Sequence, residues 1–334
     1  VYTRHNLGLL FLRLARFAEA RALLADATAA AGRIFGADHP ALLSFMDAEI
    51  NLAQYTGRLR DADMLARRTL QMAARLPAAN PGLVLPIVEI QARIAFERRD
   101  DDAARLAEQA ESLARETYGP EHPRTAFTTF YTLAYRPERA PEYTATLAAL
   151  STINPQLWAD SLINHARALL LARKADRVPA LLAELRAPET WHKLPSGAHV
   201  GLALVEVDAL LDLGRTREAA AALDALPADS EDVRRVQQRV EYHRGRLAWL
   251  EGQPDVAVAH LRRAVDGYRA SFDDDHPEFL AVRLALARAL HAAGAAQEAD
   301  ALAARLRDVY RSLGPRFAGE LAALDDLAAR PARP

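Results

Sequence analysis

Between Ala20 and Phe35, Leu23, Leu24, Ala27 and Ala31 fall on one face of a 3.6-residue helix, and Gly36 ends the run. Apolar helical stretches separated by short polar turns continue along most of the chain. Six turns stand out: Ala15–Ala20, Gly57–Ala62, Arg98–Ala103, Gly214–Ala219, Gly252–Ala257 and Gly294–Ala299. Each closes on alanine, and the first three closing alanines are 42 and 41 residues apart, the last three 38 and 42. The pattern predicts a chain of helix pairs, helix A before each turn and helix B after it. No long window alternates with the period of two that a strand requires, so the expected fold is all-α.

The turn residues have physical roles. Glycine supplies the positive φ that ends helix A. Asp, Glu or Pro near the start of helix B suits its unpaired N–H groups and the helix dipole. The closing alanine lets helix B approach helix A. A second phrase marks the passage from helix B to the next helix A: Gly36-Ala-Asp-His39-Pro40, Gly119-Pro-Glu-His122-Pro123 and Asp273-Asp-Asp-His276-Pro277. Proline is at home in the first turn of a helix, and the histidine before it caps or packs the junction.

Asn6-Leu7-Gly8-x-x-Phe11 followed by Ala20 and Ala27 resembles the Leu-Gly-x-x-aromatic then Ala pattern of tetratricopeptide repeats, in the 42-residue form of kinesin light chains and bacterial signalling proteins. Leu286-Ala287-x-x-Leu290 with Gly294 and Ala299 matches it again, and Gly245 takes the small-residue place in another unit. The resemblance implies a right-handed superhelical solenoid of about eight antiparallel helix pairs. It covers roughly residues 1–135 and 200–315. Between them the pattern decays, through Arg136-Pro-Glu-Arg-Ala-Pro141, Asn154-Pro155 and Ala187–Pro195. The expected organisation is N-terminal repeats over 1–135, irregular helical repeats over 136–199 with a pair near 155–186, and C-terminal repeats with a capping helix over 200–334. A second irregular pair is expected near 197–226.

A balance of 42 basic and 44 acidic side chains lacks the basic footprint of a nucleic-acid-binding protein and does not favour adsorption to anionic membranes. No apolar run is long enough to span a bilayer. The chain has no Cys, which excludes disulfides and thiolate chemistry and suits the cytoplasm. It opens at Val1 inside a helical pattern and reads as a piece of a longer protein, preceded by an effector domain or a membrane anchor.

Catalytic motifs are lacking: no phosphate-cradling glycine loop, no Gly-x-Ser-x-Gly elbow and no kinase signature set. Three of the ten His belong to the His-Pro phrases, and the rest show no His-x-x-x-His spacing. Asp100–Asp102 and Asp273–Asp275 lie where one helix ends and the next begins, without the alternation of a calcium loop. We therefore expect no catalytic, cofactor or metal site within these residues.

Two polar stripes are candidates for partner contact. Ser44, Asp47, Asn51 and Gln54 recur at three, four and three on an early helix A, beside Leu43, Met46, Ile50 and Ala53. The family resemblance implies that helix A residues line a concave groove, so this stripe is either plain surface or faces a ligand. Arg235, Arg239, Tyr242 and Arg246 form the second stripe, beside a core face of Val233, Val236, Val240 and Leu247. It is a solvated face, a contact for an acidic peptide or phosphate, or a small nucleic-acid footprint. Thr125, Thr129 and Thr132 make a weaker third. The resulting expectation is a protein- or peptide-binding scaffold, the regulatory or sensor module of a larger bacterial signalling protein, whose partner is a protein or peptide, acidic in one reading. The alternative is a small-molecule or signal-peptide sensor controlling an attached kinase or DNA-binding domain, which a deep pocket near Trp158 and Trp191 would favour.

Overall fold

The structure is a computed structural model that describes residues 1–14, 16–76, 80–135, 155–171, 173–183, 186, 191–192, 194, 196–227, 236–270 and 272–329. Every regular element among these residues is helical. The chain divides into two units, one of residues 1–146 with 271–276 and one of residues 147–270 with 277–334.

The first unit contains α1 (Tyr2–Arg13), α2 (Phe17–Phe35), α3 (Leu42–Tyr55), α4 (Leu59–Ala73), α5 (Pro81–Arg98), α6 (Ala103–Tyr118) and α7 (Pro123–Tyr135). Each helix packs on the next, and α1, α3, α5 and α7 also touch in succession, forming a layer of A helices. The second unit contains α8 (Pro155–Leu171), α9 (Val178–Ala183), α10 (Ser196–Asp212), α11 (Thr216–Asp224), α12 (Gln237–Leu250), α13 (Pro254–Arg269), α14 (Pro277–Ala292), α15 (Ala296–Leu313) and α16 (Ala318–Ala329). Here α8, α10, α12 and α14 make the A layer. Neighbour-to-neighbour packing of this kind is the build of a repeat protein.

The A-to-B turns share one backbone geometry. Gly57, Gly214, Gly252 and Gly294 all have φ between 69° and 81°. The N–H of the following residue reaches back five positions: Arg58 to Ala53, Arg215 to Leu210, Gln253 to Ala248 and Ala295 to Leu290, all at 2.8–2.9 Å. This is the Schellman closure, which satisfies the last carbonyls of helix A. Arg99 (φ 56°) and Arg173 (φ 59°) adopt it without glycine, with Asp100 and Lys174 reaching back to Ala95 and Leu169. The Arg173 turn joins α8 to a short 3₁₀ segment and α9, which places a helix pair in the region where the sequence repeat fades. All six closing alanines are buried, because each lies where helix B crosses helix A.

The His-Pro phrases are capping devices. His39 Nδ1 accepts the N–H of Ala41 at 3.1 Å, and His122 Nδ1 accepts that of Arg124 at 3.1 Å. Each imidazole also stacks on the aromatic ring four residues earlier, His39 on Phe35 at 5.0 Å and His122 on Tyr118 at 4.8 Å. One ring thus caps helix A and packs on the end of helix B. His276 differs: it is buried and meets Phe272 edge-on at 4.6 Å. At the far end, Phe317 and Leu324 pack with Leu280, Leu306 and Tyr310, so α16 covers the last pair.

Candidate partner-binding face

Both polar stripes lie on A helices, and in each unit the stripe is joined to the adjacent A helices by side-chain bonds. In the first unit Ser44, Asp47, Asn51 and Gln54 are all half-buried on α3. Asn51 Oδ1 accepts from Arg93 Nη2 of α5 at 3.3 Å, and Gln54 Nε2 donates to Glu97 Oε1 of α5 at 2.6 Å. The next step runs from α5 to α7. Arg124 forks onto both oxygens of Glu89, its Nε lying 3.0 Å from Oε1, and Thr128 donates to the same Oε1 at 2.8 Å.

His5, Asp47 and Glu89 are spaced by 42 residues and occupy the same register on α1, α3 and α5. His5 is buried against Phe45, with ring centroids 4.6 Å apart, and burial lowers its pKa. Burial raises the Asp47 pKa to about 6, against the opposing pull of Arg93 and Arg124. Burial likewise raises that of Glu89, although Arg124 holds its charge.

In the second unit the stripe from α12 follows the same plan. Arg235 lies outside the described residues, as does Val233. Arg239 forks onto Glu278 of α14, with Nε 3.2 Å from Oε2, and Tyr268 donates to the same oxygen at 3.3 Å. Burial acts to lower the Arg239 pKa, but Glu278 outweighs it and the net shift is upward. Arg246 spans two carboxylates of α10, Asp208 and Asp212, each at 2.6 Å, and its guanidinium lies 5.5 Å from the centre of the Tyr242 ring. Burial raises the Tyr242 pKa. Buried His243 has Nδ1 3.6 Å from Asp208, and its pKa is lowered by burial. These arginines therefore hold carboxylates of the chain itself.

The third stripe is a packing feature. Thr125, Thr129 and Thr132 are buried, and Thr125 Oγ1 donates to the Gly119 carbonyl at 2.7 Å, tying α7 to the end of α6. The residues that sequence reasoning passed over are the partners: Glu89, Arg93, Glu97 and Arg124 in one unit, Asp208, Asp212, His243 and Glu278 in the other. Their signal was available, since most of these bonds join residues 34 to 43 positions apart, close to one repeat.

The A faces offer charge and hydrogen bonding. Among the described residues there is no group of three or more His, Asp or Glu arranged for a metal ion. Nor is any helix among them long and apolar enough to cross a membrane. Near Trp191 the structure has a hollow of about 20 Å³, lined by Leu182, Arg186, Trp191, Leu202 and Ala203. That is the space of about one water molecule. Trp158 is buried.

A family model described as tetratricopeptide repeat matches residues 1–41, which span α1, the first turn and α2. No curated protein matches the chain. Among solved structures, the crystal structure of BtubC (BKLC) from P. vanneervenii matches at 18% identity, covering 89% of this chain and 90% of that one, with a TM-score of 0.30. Tetratricopeptide repeats are generally non-catalytic scaffolds for protein interaction. Residues 1–41 are thus similar to a tetratricopeptide repeat, and helix pairs of the same A–turn–B build follow them.

Proposed function

We propose that this chain is a peptide-binding scaffold, the regulatory module of a larger signalling protein, and that a segment of its partner lies along the A helices. The observation that supports this most is the half-buried polar stripe Ser44, Asp47, Asn51 and Gln54, which continues through Arg93 and Glu97 of α5. Such a surface supplies donors and acceptors at helical spacing, held in place by bonds between helices. Preorganised polar groups of this kind set the register of a bound segment at low entropic cost.

An acidic partner at the second stripe would have to displace Glu278, Asp208 and Asp212 from Arg239 and Arg246, so that stripe is assigned to holding α10, α12 and α14 together. The binding face is the α3–α5 part of the first unit.

A photo-crosslinking amino acid placed at position 44 tests the reading. It should capture a partner from the native source that the same group at position 64 does not, Met64 being well exposed on the B helix α4. The double variant N51A/Q54A should weaken binding of that partner by about tenfold. Equal capture at both positions, with no loss in the double variant, would show that the A face is not the site.

A further inference from the structure

We propose that the α3 face takes a basic segment, with the Asp47 carboxylate accepting a lysine or arginine side chain. This rests on the A-face reading above and specifies the chemistry of the partner.

The first observation is a pair of unmatched acceptors. Asp47 Oδ1 and Gln54 Oε1 are shielded from solvent and accept no hydrogen bond. Buried acceptors are normally paired, so two on one stripe mark a place where donors are wanting. Asp47 as a whole is only half-buried. The last torsion of an aspartate is broad and two-fold, so either oxygen can turn outward at small cost.

The second observation is charge. From Leu42 to Tyr55, α3 carries Asp47 and Glu49 and no Lys, Arg or His. Beside it stand Glu89, Arg93 and Glu97 of α5 and Arg124 of α7. Both arms of Arg124 are on Glu89, and Arg93 gives an arm to Asn51. Both arginines, with the Asn51 amide, act on Asp47 against the burial that raises its pKa. From α1 the titratable group at the same register is His5, buried against Phe45. What α3 itself offers to a partner is acceptor capacity and negative charge.

Binding of a cation requires Asp47 to be ionised, and this gives the proposal its own pH signature. With a pKa of about 6 in the free protein, roughly a quarter of Asp47 is ionised near pH 5.5 and nearly all near pH 7.5. Affinity for a basic segment should therefore be about fourfold weaker at the lower pH.

The probe is a random-sequence peptide display library, selected on the full chain near neutral pH. Selected peptides should be enriched in lysine or arginine. Their synthetic forms should bind D47N about tenfold more weakly than the parent protein, and should lose the pH dependence in that variant. M64A on α4 should bind as the parent does. Circular dichroism of D47N, expected to match the parent, separates lost binding from lost folding. Selection of acidic peptides that still lose affinity in N51A/Q54A would overturn the basic-segment proposal while leaving the A-face reading standing. Peptides indifferent to D47N and to N51A/Q54A would overturn both.

Discussion

A Cβ placed on Gly245 would stand 2.5 Å from Cγ of Leu261 and 3.4 Å from the Ala257 carbonyl. The same relation recurs in the first pair, where a Cβ on Gly8 would lie 2.7 Å from Leu24 Cδ2. In both pairs the leucine follows the glycine by 16 residues and the closing alanine by four. Leu261 and Leu24 are buried at these crossings and have little room to retreat. Helix propensity alone would favour alanine over glycine by about 1 kcal/mol. The contact reverses that preference: G245A should lower stability by roughly 1–3 kcal/mol, and G245V by more. Urea unfolding would show a lower midpoint at unchanged slope. A midpoint equal to or above the parent's would mean that the crossing yields.

His39 joins two helices with one ring. H39A removes both the cap to Ala41 and the stack on Phe35, and should destabilise the first unit by about 1–2 kcal/mol. H39N keeps an acceptor at the cap position and should recover about half of the loss. Thermal unfolding of the three proteins at one pH separates the two contributions.

Asp47 makes stability depend on pH in an unusual direction for a carboxylate. Its pKa rises from 3.8 in the unfolded chain to about 6 in the fold, so the folded state holds its proton more tightly. The stabilising contribution is fully present below the unfolded value and is lost as pH rises through about 6. D47N should therefore match the parent near pH 4 and be more stable near pH 7.5. The gain is on the order of 1–2 kcal/mol once partial solvent screening is allowed for. Denaturant midpoints at the two pH values provide the comparison. A variant less stable than the parent at the higher pH would contradict the assignment.

Two ion pairs of the second unit should differ in weight. Arg239–Glu278 bridges A helices with side chains 26% and 38% exposed, whereas Arg262–Glu298 bridges B helices with both more than half exposed. A double-mutant cycle to alanine should give a coupling of about 1–2 kcal/mol for the first pair and under about 0.5 kcal/mol for the second. Equal couplings would mean that ion pairs of the A and B layers carry the same weight.

The helix pairs, their turns and the junction phrases were legible in the sequence because they are local. A glycine at positive φ, an alanine at a crossing and a proline in a first turn answer to constraints within a few residues. Where both the glycine and the closing alanine are replaced, local reading fails. Arg173 adopts the left-handed turn that Gly57 adopts, yet nothing in its type announces it. The aromatic partners of the histidines were also present at a fixed offset, four residues before each one, and their stacking needed coordinates to be seen.

The candidate site divides along the same line. Helical spacing alone placed Ser44, Asp47, Asn51 and Gln54 on one face, and Arg239, Tyr242 and Arg246 on another. It did not distinguish an arginine available to a partner from one already engaged. Arg239 meets Glu278 across 39 residues and Arg246 meets Asp208 across 38. The environment of Asp47 likewise depends on side chains from α5 and α7. The sequence by itself determined the repeated helix pair and which residues share a face, since backbone geometry is periodic and local. Only the tertiary structure decided which of those charges are neutralised and which acceptors lack a donor, because burial and ion pairing depend on side chains brought together from successive repeats.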